Sequence, residues 1–141
     1  MIRQYKSTDA DAIVNIWQEA SRVATPFLTE EFVQQERDNI RNIYLKHAET
    51  WVFEDNGQVV AFLALIENEV GAIFALPESQ GKGIGRALMD HAVSIRDELF
   101  LDVFEENRIG RRFYDRYGFK LDHRHVHEQT GQALLRLILR P

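Results

Sequence analysis

The stretch from Val70 to Arg96 constrains this chain more than any other. It opens with "VGAIFAL", an apolar run of strand character that Pro77 ends. It continues into "QGKGIGR", which places three glycines, Gly81, Gly83 and Gly85, within five positions. Ile84, Leu88, Ala92 and Ile95 then recur at i, i+4, i+8 and i+11, a spacing that predicts a helix over about 84–96. A helix start leaves backbone N–H groups unpaired and carries positive dipole charge. Glycine lets backbone approach an anion closely, so strand, glycine-rich turn and helix in this order suggest phosphate binding. A tight turn alone would need one such glycine, or two.

Two common phosphate fingerprints do not fit. G-x-G-x-x-G, counted from Gly81 and Gly83, requires a glycine where Arg86 stands. The P-loop pattern G-x-x-x-x-G-K-[ST], counted back from Gly81 and Lys82, meets Leu76 at its first position and Gly83 at its last. What remains is Gln80-x-x-Gly83-x-Gly85.

The rest of the chain reads as mixed α/β. "IRQYK" is a strand, and Thr8 with Asp11 has near-capping-box spacing, Asp standing in for Glu. Ile13, Trp17 and Ala20 predict a first helix to about Arg22. Pro26 breaks it, and Thr29 caps a second helix with Phe32, Val33, Ile40, Ile43 and Tyr44 as its apolar face. "TWVFE" and "QVVAFLALIE" flank Asn56-Gly57, the strongest hairpin signal in the chain. The second of these runs is apolar on both faces, as a central strand is. "ELFLDVF" is a strand. Asn107 caps a helix with the stripe Ile109, Phe113 and Tyr117, which Gly118 stops. "FKLDHRHVHE" and "ALLRLIL" form a closing hairpin. The order is β-α-α-β-β-β-α-β-α-β-β, expected as one domain over residues 1–141.

Composition excludes several functions. The formal net charge of -5 gives a nucleic-acid partner no electrostatic support. The absence of cysteine removes disulfides, thiolate–metal sites and a cysteine nucleophile. No apolar stretch is long enough for a membrane span, and "MIRQYKSTDADAI" lacks a signal-peptide core, so the expected location is cytoplasmic, with no membrane partner.

Together with "IFALP", the pattern Gln80-x-x-Gly83-x-Gly85 resembles the acetyl-coenzyme A signature of the GNAT superfamily of N-acetyltransferases. A second block agrees: the strand "LFLDV", then Asn107, then Tyr114 seven residues on, then "YGF" at 117–119. The resemblance covers nearly the whole chain and is to small single-domain bacterial members. It implies a mixed, mostly antiparallel central sheet flanked by helices. It implies acetyl-CoA as co-substrate, no metal, and direct acetyl transfer to a primary amine: a protein lysine or N-terminus, or a small molecule. The alternative is a non-catalytic coenzyme-A-binding sensor or interaction module. Monomer and homodimer both stay open.

By the same resemblance, the turn and helix start at Gln80, Gly81, Lys82, Gly83, Ile84, Gly85 and Arg86 hold the coenzyme pyrophosphate. The backbone of Ile73, Phe74 and Ala75 pairs with the pantetheine arm, and Asn107 reaches that arm as well as capping its helix. Gly110 leaves room for it, and Tyr114 stands near the coenzyme sulfur as general acid. Lys82, Arg86, Arg111 and Arg112 are candidate phosphate contacts, each plainly readable as a solvated charge. Trp17, Phe27 and Leu28 are expected on the acceptor wall, or simply in the core.

Amine attack needs a base, because an alkylammonium at neutral pH holds its proton by about 4–5 kcal/mol. Strand alternation puts Asp102 between Phe100 and Phe104 on one sheet face, which makes it a base candidate. Glu67, Glu69, or no side-chain base at all, are the alternatives. His123, His125 and His127 share a strand face at ligand-like spacing, but no carboxylate partner is evident. A place beside the acceptor pocket suits them better than a metal site.

Overall fold

The computed structural model describes residues 1–141. Strands β1 (Ile2–Gln4), β2 (Glu49–Asp55), β3 (Gln58–Ile66), β4 (Glu69–Ala75), β5 (Leu99–Phe104), β6 (Lys120–Val126) and β7 (Ala133–Leu139) form one sheet in the order β1-β2-β3-β4-β5-β7-β6. Helices α1 (Ala10–Ala24), α2 (Glu30–Asn39), the single turn α3 (Leu45–His47), α4 (Ile84–Ile95) and α5 (Arg108–Tyr117) cover it. Every strand pair is antiparallel except β4 with β5. No helix is long and apolar enough to cross a membrane.

Local chemistry explains most elements. Asn56 and Gly57 take φ of 53° and 79°, the left-handed pair that a two-residue hairpin loop between β2 and β3 needs. Thr29 caps α2 by accepting the Phe32 N–H at 3.1 Å, and Asn107 caps α5 by accepting the Gly110 N–H at 2.9 Å. The entry to α1 differs from the expected Thr8–Asp11 box. There Asp9, 6% exposed, accepts the Lys6 N–H at 2.8 Å and both terminal nitrogens of Arg3 at 2.9 Å. A short 3-10 turn at Ser7–Asp9 moves the start of the helix to Ala10 and makes Asp9 the anchor.

Alternation along the strands builds two cores. Leu63, Leu65, Leu99 and Leu101 pack with Leu88 and Met89 of α4 on one face. Val52 and Phe62 pack with Ile13, Ile16 and Trp17 of α1 on the other. The second helix departs from its expected apolar face. After Asn39 it becomes a π turn, Ile40–Tyr44. Ile40 stays buried, but Ile43 and Tyr44 are 48% and 39% exposed, because the wider turn rotates them off the buried stripe.

The central feature of the sheet is a separation. The parallel β4 and β5 share one register pair, Glu69↔Phe100. Past it, β4 pairs only with β3, through a bulge that leaves Gly71 without a partner between Leu65↔Val70 and Ala64↔Ala72. The other edge of β4 is therefore open, and a cleft runs between it and β5.

Candidate active site

This cleft has a volume of about 780 Å³ and is lined by β4, the turn before α4, α5, β5, α1 and α2. At one end lie Gln80, Gly81, Gly83, Gly85 and Arg86. Gly81 and Gly83 have φ of 79° and 82°, and a Cβ on either would point into open space. The first helical bond of α4 runs from the Ala87 N–H to the Gly83 carbonyl at 3.0 Å, so the N–H groups of Ile84, Gly85 and Arg86 have no acceptor within the helix. Gln80 ties the turn down by donating to the Ala75 carbonyl at 3.1 Å. The side chain of Ile84 is buried in the core, and neither Ile84 nor exposed Lys82 lines the cleft. Gly85 has a packing reason of its own: a Cβ there would stand 3.4 Å from the Phe113 ring of α5.

The middle of the cleft is formed by Ile73, Phe74 and Ala75 on β4 and by Asn107, Gly110 and Tyr114 on or beside α5. A Cβ at Gly110 would come within 2.7 Å of the Asn107 amide nitrogen. The close neighbour that requires glycine here is therefore the cap itself. The Tyr114 ring packs edge-on against Phe113 and Phe119, with centroids 5.5 and 5.7 Å away. Burial pushes its hydroxyl pKa well above the ordinary value, so the group stays protonated and able to donate. Arg112 and Arg116 of α5 also line the cleft. Arg111 points away, donating to the Glu105 carbonyl at 3.0 Å, and lines a smaller cavity of about 600 Å³ on the outer flank of α5.

The far end carries the carboxylates. Asp102 receives Arg136 in two bonds, 2.8 Å to Oδ1 and 3.0 Å to Oδ2, and His125 Nε2 lies 3.2 Å from Oδ1. Burial raises the Asp102 pKa, but the bonds from Arg136 and His125 outweigh that and hold it below the usual carboxylate value. A carboxylate so held is a weak base. Glu69, half-buried where β4 and β5 meet and just behind the lining rather than in it, is the opposite case. Burial first, then the charge of Asp102, raise its pKa against the pull of Arg136. Glu67 sits exposed in the turn before β4 at φ 53°, outside the cleft.

Trp17 and Leu28 line the cleft, while Phe27 stands outside the lining, edge-on to the lining residue Phe104 at 5.6 Å. Of the three histidines only His127 reaches the cleft; the His123 and His125 rings pack together, with centroids 5.3 Å apart. His127 lines the cleft between Phe104 and Phe32, with Nδ1 2.9 Å from the Thr130 hydroxyl. His125 turns to Asp102, and His123 to Asp122 at 2.6 Å. Glu36, Tyr44 and Phe32 join the lining without having been expected there. Their only sequence signal was helical spacing, and the π turn interrupts it.

An open sheet with a parallel separation, a glycine-built helix start and a tyrosine between them defines an acetyl-transfer fold. Residues 46–121 match the family model of the acetyltransferase (GNAT) domain, and the chain belongs to that family. It is 30% identical over 122 residues to the peptidyl-lysine N-acetyltransferase YiaC of Escherichia coli (strain K12), covering 86% of this chain and 84% of that one. It is 31% identical over 132 residues to the peptidyl-lysine N-acetyltransferase YjaB of the same organism, covering 93% and 89%. The solution structure of apo YjaB superposes with a TM-score of 0.88 at 31% identity, covering 98% of this chain and 95% of that one. PaiA N-acetyltransferase from Thermoplasma acidophilum, solved in complex with coenzyme A, shares the fold, with a TM-score of 0.79 at 18% identity and 96% of each chain covered.

Proposed function

We propose that residues 1–141 act as one acetyl-CoA-dependent N-acetyltransferase domain whose acceptor is a lysine side-chain amine. The observation that carries this reading is the continuity of the cleft, which joins the glycine-built anion cradle, Tyr114 and the carboxylate end in one channel. The names of the two Escherichia coli relatives support the lysine acceptor.

The cradle suits a coenzyme pyrophosphate: free N–H groups of a helix start, positive-φ glycines beside open space, and Arg86 at hand. The open edge of β4 suits an extended amide arm, which it would bind as an added strand. Bound there, acetyl-CoA supplies an electrophilic acetyl carbonyl and a thiolate leaving group.

The residues divide the proton work. Glu69 lies just behind the lining, next in the chain to the lining residue Val70 and close enough to Asp102 to feel its charge; it takes the ammonium proton through bridging water, while Asp102 stays ionised. Because Arg136 and His125 hold Asp102 charged, we place the base at Glu69 rather than at Asp102. The Tyr114 hydroxyl has no protein partner and is free to donate to the departing sulfur.

The test is product analysis on a peptide carrying both a free N-terminus and one lysine, incubated with acetyl-CoA. Tandem mass spectrometry should place the acetyl group on the lysine Nε. Exclusive labelling of the N-terminal amine, or no free thiol released, would overturn the lysine reading.

A further inference from the structure

The charged residues lining the cleft are sorted by sign. Arg86, Arg112 and Arg116 lie on α4 and α5, while Glu36 and Asp102 lie on α2 and β5. Asp102 is neutralised by Arg136, whereas Glu36 forms no salt bridge. Glu36 is nevertheless held. Its Oε1 accepts the Tyr44 hydroxyl at 3.1 Å and the Asn39 amide at 3.1 Å, and Gln35 steadies Asn39 by donating to its Oδ1 at 3.2 Å. These donors are neutral, so they fix the carboxylate without cancelling its charge. Its Oε2 has no protein donor.

The π turn makes this arrangement. In an unbroken α-helix, residues 36 and 44 would lie about 12 Å apart along the axis and roughly 80° apart around it. The wider turn at Ile40–Tyr44 alters that rotation, and Tyr44 lies back against Glu36. The apolar neighbours Leu28, Phe32 and Ile40 line the same end of the cleft.

We propose that Glu36 is a second-cation subsite: it receives a basic side chain that flanks the lysine being acetylated. This rests on the lysine-acceptor reading. One oxygen with neutral support and one open oxygen suit the point charge of an ammonium, or a single edge of a guanidinium. The same chemistry is offered by the distal amine of a polyamine. The flanking residue of a peptide is the occupant proposed, because the reading it extends has a peptide acceptor.

The test uses two short blocked peptides, one with its lysine flanked by arginines and the other with citrulline in their place, and spermidine as a third acceptor. The wild-type protein should favour the arginine peptide by about 3- to 5-fold in kcat/KM, the range of a partly exposed ion pair, and less as salt rises. Glu36→Gln should bring the ratio to about one, Glu36→Lys should invert it, and Tyr44→Phe should lower it. Thermal melts confirm that the variants fold. A wild-type ratio of one, or a ratio that survives Glu36→Gln, overturns the subsite. Glu36 dependence seen with spermidine and not with the peptides overturns the peptide occupant. Calorimetric binding of both peptides to protein saturated with coenzyme A reads the preference without turnover. A charge-dependent affinity with no acetylation would sink the lysine reading and leave the subsite standing.

Discussion

The two ends of the cleft are built from different materials. The end proposed for the coenzyme is backbone: two positive-φ glycines, three free N–H groups at the start of α4, and the unpaired edge of β4. Its side chains are basic and mostly exposed. The end proposed for the acceptor is side chain: Asp102 with Arg136, Glu69 just behind them, Glu36 under Tyr44, and an aromatic wall of Phe32, Phe104 and His127. A ligand common to a family can be held by main chain, which any sequence supplies once φ is right. A ligand that differs from member to member must be chosen by side chains converging from several elements.

This contrast can be broken most strongly at Gly83. Gly83→Val places a branched side chain in the open space of the cradle, at a φ of 82°. It should weaken acetyl-CoA binding by about 10²-fold or more by calorimetry, through loss of close backbone approach to the phosphates. The left-handed residue costs the fold roughly 1–2 kcal/mol, which circular dichroism melts can follow. Wild-type coenzyme affinity in this variant would mean that the anion cradle lies elsewhere.

Tyr114→Phe probes the junction of the two ends. The hydroxyl acts only as the sulfur leaves, so kcat should fall by about 10- to 10²-fold while coenzyme affinity changes little. A variant with unchanged kcat under chemistry-limited conditions makes Tyr114 a packing residue, and one with lost affinity makes its hydroxyl a binding contact.

The smallest and most discriminating effect is on pH. Glu69 must be deprotonated to act, so kcat/KM should fall as pH drops through its raised pKa, and Glu69→Gln should flatten that limb. Asp102→Asn removes a like charge and frees Arg136 to act on Glu69. Both changes lower the Glu69 pKa, so the acid limb should move to lower pH. A limb abolished in Asp102→Asn and untouched in Glu69→Gln would return the base to Asp102.

The backbone of the glycine end of the cleft was largely legible in the sequence, because glycine spacing, a capping asparagine and helical periodicity are local signals. Asn56-Gly57, the cap at Asn107 and the helix after Gly83 all stand where spacing placed them. The family followed from the same residues. The entry to α1 and the end of α2 depart from the sequence expectation for two separate reasons. Asp9 is engaged by Arg3 across the β1–α1 corner, and the π turn satisfies backbone in a pattern that apolar period does not report.

What the sequence alone determined is therefore where the backbone turns, caps and alternates, since φ preference and period reside in the residues themselves. Tertiary structure alone decided that β4 parts from β5 after Glu69↔Phe100, which opens the cleft. It also decided that Asp102 meets Arg136, 34 residues away, and that Glu69 is left with the higher pKa. Charge state depends on burial and on the nearest opposite charge. Both are properties of neighbours that only the folded chain brings together.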